Sequence, residues 1–282
     1  MLARIAERIA RVCADICGPD RRGEAAPWRA PGGILPADEY ACRVIRPGRR
    51  RPAAPRTRRG DPPRVDRIAL GDLRPEPDAL LGRVAYLRLA LFETATSVAG
   101  RATDLADREA ITRVAAVVLE QHTELTRMID ARGLTAAEAM HPYTADIDRY
   151  GRRVAESGWH ESVLTLHLAA GLLDDFFAAL AGGLRDQDGA RIASLLERDI
   201  GHEALVAVLE AGIAADRRLA SRLALWGRRL VGDTLLVARS ALADVADAEG
   251  HPATTEERRI EPIMNDLIAA HSRRMDRLGL TA

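Results

Sequence analysis

The chain has 282 residues, 47% hydrophobic, 29% charged and 4% aromatic, enough for one domain with a substantial core and a tail. Its 41 basic residues, all arginine, balance 41 acidic ones, so overall charge does not mark it as a nucleic-acid binder. Its three cysteines suggest no disulfide framework, and a reducing cytoplasm is the expected compartment.

The charge is unevenly spread. Residues 1–74 hold 17 arginines against nine acidic residues, and residues 75–282 hold 24 against 32. The first 17 residues could form a short amphipathic helix, with Leu2, Ile5, Ile9, Val12 and Ile16 on one side. Its start lacks the apolar core of a secretory signal, and no apolar run along the chain is expected to span a membrane. "RPGRRRPAAPRTRRGDPPR", Arg46 to Arg64, has no periodicity and cannot build a core. Residues 1–75 are therefore expected to be a largely disordered arm. A leader is the plain reading, and an electrostatic arm for nucleic acid the sharper one. Cys13 and Cys17, with Cys42 far off, make only a weak zinc pattern.

Residues 76–282 are expected to form one helical domain. The first helix is predicted from Pro77 to Thr103, followed by acidic N-cap candidates at Asp104 and Asp107. The second runs from Arg108 to Ala131, stopped by Gly133. "MHPYTADIDRYGRRVAESG" reads as a connector. The third helix spans Trp159 to Leu180, the fourth Gly189 to Ala215, the fifth Arg217 to Ala246, and a final helix reaches Leu278. No strand pattern appears. The expected architecture is all-α: an antiparallel bundle of four main helices with additional C-terminal helices.

Four helices carry titratable groups on apolar stripes. Glu93 shares one with Tyr86, Leu89 and Ala90, and His122 one with Val118, Leu119 and Leu125. Asp175 follows Leu168, Gly171 and Leu172, and neighbouring Asp174 could also face inward. In "ERDIGHEALVAVL" Asp199 and His202 lie one turn apart, on a stripe with Ile192, Leu195, Val206 and Leu209. A carboxylate or carboxylate–histidine set on each helix is the pattern of a di-metal bundle, because residues three apart offer oxygen and imidazole to one ion. Such a donor set suits iron or manganese. His167, two turns before Asp174, could support the ligands from behind. His141, His160, His251 and His271 read as surface or capping residues. Asp233 interrupts another apolar run and could bond Arg228 or Arg229.

Residues 79–245 resemble the ferritin-like proteins of high-GC bacteria that are grouped with the di-iron tRNA hydroxylases. The resemblance rests on "FETATSVA", "QHTEL", "MHPYTADID", "GLLDDFF", "DIGHEALVAV" and "SRLALWGRRLVGDTL". It implies a ferritin-like fold, a di-iron centre and hydroxylation of a hypermodified adenosine in tRNA. It matches Glu93, His122, Asp175, Asp199 and His202 to metal-ligand positions. The pattern also wants a carboxylate three residues before His122, where Leu119 stands; Glu120 points to the wet face. Two functions follow as expectations. One is an oxygen-activating metalloenzyme with a redox partner. The other is a non-catalytic scaffold, homo-oligomeric or not, with a degenerate site.

Overall fold

The computed structural model describes residues 70, 73–155, 157–184, 186–249 and 253–282. Residues 1–69, with the expected disordered arm, the predicted amphipathic helix and the three cysteines, lie outside the described residues, as does His251.

The first helix, α1 (Pro77–Arg101), starts on a proline whose missing N–H costs nothing there, while the Glu76 carboxylate accepts from the Ala79 N–H at 2.6 Å. Asp104, one of the two expected caps, accepts from Ala106 and Asp107 and opens α2 (Leu105–Ala131). Only residues 102–104 join the two helices, so they pack side by side and antiparallel. Gly133, at φ 77°, ends α2 by letting Leu134 N–H reach back to the Ile129 carbonyl at 3.3 Å.

The expected connector is largely helical. It holds α3 (Ala136–Met140), a 3-10 turn (His141–Tyr143) and α4 (Thr144–Ala155). Pro142 falls at the start of the turn, where no N–H is needed. Ile147 and Val154, two turns apart, give α4 its buried edge. α3 lies so close to α1 that a Cβ on Gly82 would overlap the Ala139 carbonyl.

The central helix is α5 (Trp159–Ala181), which packs against α1, α6, α7, α8 and α9. Against expectation it is long and apolar enough to cross a membrane, with mean hydropathy 1.6 in its most apolar stretch. Of that stretch 83% is buried inside the protein, which accounts for its composition as that of a core helix.

The predicted fourth helix is broken. Its halves are α6 (Gln187–Leu196) and α7 (His202–Ala215), separated by residues 197–201. Gly201 adopts φ 102°, a left-handed conformation that costs other residues dearly, and it sits against Val114 of α2. With α1, α2 and α5, this broken helix makes the four-part bundle. Then come α8 (Arg217–Glu249) and α9 (Ala253–Arg277). α9 settles into notches left by two glycines: Gly171 of α5, under Arg274, and Gly227 of α8, under Met275. No strand occurs among the described residues.

Candidate functional site

The five sequence-predicted ligands do not converge. Glu93 stands exposed on α1. His122 is half-buried, and its Nδ1 lies 3.0 Å from the Ala85 carbonyl of α1, so the ring ties α2 to α1. Asp175 is exposed and pairs with Arg274 of α9 at 2.7 Å. Asp199 and His202 do not project from one helix face, because the break falls between them. Asp199 Oδ1 instead accepts from Gly201 N–H at 3.0 Å and His202 N–H at 2.8 Å, capping α7. Against the desolvation of partial burial, those two N–H groups and the nearby His202 and His167 rings hold the Asp199 carboxyl below its ordinary value. Leu119 is 40% exposed, so a glutamate there would stand in water. Among the described residues, no three of His, Cys, Asp and Glu gather as a metal site would require.

The inward polar residues are different ones. On α1, Arg88 is fully buried and pairs with Asp174 of α5, while Arg83, also buried, pairs with Asp244 of α8. Arg88 lies on the stripe of Leu81, Val84, Leu91 and Ala95, at spacings of three, four and seven, and that spacing is the signal that could have found it. On α2 it is Gln121, on the stripe of Val114, Val118, Leu125 and Met128. Its Nε2 donates to the Leu195 carbonyl at 2.8 Å and the Arg198 carbonyl at 3.4 Å. Gln121 thereby satisfies carbonyls at the end of α6, as Asp199 satisfies N–H groups at the start of α7. Two side chains thus hold the break open.

On α5, Asp174 is the buried member of the Asp-Asp pair. Burial pushes its carboxyl above the ordinary value, and Arg88 opposes that shift. His167, one of the most buried polar residues, faces His202 across a 3.3 Å Nδ1–Nδ1 separation. Burial pushes His167 down to about 3, helped by His202, Arg274 and Arg277 and opposed by Asp199. Burial lowers His202 as well, opposed by Asp174 and Asp199. Both rings are therefore neutral at neutral pH. His271, expected at the surface, is buried between α9 and α8, and desolvation lowers it to about 4 against its hydrogen bond to the Gly227 backbone. Asp233 bonds Arg153 of α4 at 2.5 Å, rather than Arg228 or Arg229.

The residues lining the centre do not fit a di-metal group. Two divalent ions call for several carboxylates and two imidazoles from facing helices. Here α1 sends in a guanidinium, α2 an amide and α5 a single carboxylate already neutralised by Arg88. Adding cations beside Arg88 is electrostatically unfavourable in a medium of low dielectric.

Fold and interior together define an all-helical protein of the ferritin-like class, with an ion pair at its centre. Residues 77–251 match the family model described as "Ferritin-like domain, actinomycetes", and the chain belongs to that family. No curated protein matches the chain.

Proposed function

We propose that this protein is a non-catalytic ferritin-like scaffold, whose bundle presents surfaces for assembly or regulation. The observation that carries the reading is Arg88: a fully buried guanidinium on Asp174 supplies the positive charge that metals supply in a di-iron bundle. The oxygen-activating reading, with iron or manganese, rests on the donor pattern of the sequence, and its tRNA substrate on resemblance alone.

The test is iron oxidation. Full-length protein is mixed with two equivalents of ferrous iron without oxygen, exposed to air, and followed by ferric absorbance. The expected rate lies within about twofold of protein-free buffer. An acceleration of about tenfold or more, saturating near two irons per chain, would overturn the scaffold reading.

A further inference from the structure

The facing imidazoles of His167 and His202 carry a site of another kind. The Nδ1 atoms are 3.3 Å apart, the ring centres 5.2 Å apart, and the ring planes cross at 76°. A straight N–H···N hydrogen bond of that length would put the ring centres about 5.6 Å apart. The observed centres are closer, so the two nitrogen directions are bent towards each other rather than aligned. Two imidazoles on one tetrahedral ion, with nitrogens about 2.0–2.1 Å from it, have nitrogens about 3.3 Å apart and ring centres about 5.2 Å apart. Both observed separations match that arrangement.

The surroundings agree. His167 is 3% exposed and its Nε2 has no hydrogen-bond partner, so the contact at Nδ1 is the one polar interaction this ring makes. A buried α5 fixes the position of His167. His202 is half-buried, which opens one side of the pair to solvent. Of the cations that act on His167, Arg274 is paired with Asp175 and Arg277 with Glu203, which reduces but does not remove their charge at the site. Asp199, at the same helix end, acts electrostatically on both rings and supplies negative charge for a cation. Imidazole donors with open positions suit borderline divalent ions rather than hard, oxygen-seeking ones.

We infer that His167 and His202 form a two-imidazole site for one borderline divalent transition-metal ion of the zinc class, with solvent completing its shell. The site is distinct from a di-iron centre and does not depend on the scaffold reading. Iron oxidation at the bundle centre would overturn that reading, whereas zinc binding lost in His167→Gln, outside the five-residue di-iron set, tests this pair.

The probe is zinc, titrated by calorimetry into tag-free, chelator-treated full-length protein at neutral pH, with cobalt(II) as a spectroscopic substitute. One ion per chain should bind, and cobalt should give the visible bands of a tetrahedral nitrogen and oxygen site. His202→Gln should weaken binding about tenfold or more and abolish those bands; His167→Gln should do the same. His141→Gln, at an exposed position, should change neither. Because His202 is half-buried, its variant keeps the test valid if the His167 variant misfolds. Absence of stoichiometric binding would overturn the inference. So would binding that survives His202→Gln, including binding marked by near-ultraviolet thiolate bands from Cys13, Cys17 or Cys42.

Discussion

Arg88→Met should destabilise the protein by about 3–5 kcal/mol, because it strands the Asp174 carboxyl in the core. Asp174 is buried and already pushed towards its neutral form by burial; Arg88 is what opposes that shift. The ion pair is itself costly. Arg88 Nε and Nη1 are buried without hydrogen-bond partners, and each such donor costs about 1–3 kcal/mol. The double variant Arg88→Met/Asp174→Leu should therefore recover most of the loss, ending near or above the stability of the natural chain. Urea unfolding of the four proteins in a double-mutant cycle measures this directly. Additive losses, with the double variant the least stable, would show that the two side chains do not act as a pair.

Acid should weaken the fold well above the range where carboxylates titrate. His167 and His271 are held down to about 3 and about 4 from an ordinary 6.5, in both cases chiefly by burial. For a histidine depressed in the folded state, the unfolded chain binds the proton first. Its contribution is complete above pH 6.5 and is lost as pH falls towards the folded value. Each group removes about 1.4 kcal/mol per pH unit across that window. By pH 4 the two together amount to a loss on the order of 5 kcal/mol, comparable with the whole stability of many domains. His202 and His160, also lowered by burial, act in the same direction. Asp174 opposes them, because its raised value favours the folded state in acid. Asp199, held low, adds a further loss only below its ordinary 3.8. Chemical unfolding at intervals from pH 7 to pH 4.5 should show the decline, and His271→Gln should reduce its slope. Stability that stays flat across the interval would refute the assignment of neutral buried histidines.

The helical class, the end of α2 at Gly133 and the cap at Asp104 were legible in the sequence, because periodicity and capping residues are local signals. The break between α6 and α7 was not. Residues 192–209 keep a helical period through it, yet Gly201 turns left-handed against Val114, and Gln121, 74 residues from Leu195 in sequence, satisfies the carbonyls it exposes. Apolar periodicity cannot register a partner so distant. The same limit explains the site. Glu93 and His122 lie on stripes one step round from the buried faces, and alanine-rich turns make such neighbouring stripes look equally apolar in sequence. Arg88 shares its stripe with buried Leu81, Val84, Ala85, Leu91 and Ala95. Composition treats arginine as a surface residue, and only the paired helix shows why this one is not. His167 aligns with Asp174 along α5, but its partner, His202, lies on another helix.

In this bundle a guanidinium occupies the charge position of a di-metal centre. Iron content tests it most directly: full-length protein purified from iron-supplemented cells, beside a His202→Ala control, measured by elemental analysis. Less than about 0.1 iron per chain is expected in both proteins. About two irons per chain, lost in the control, would contradict it.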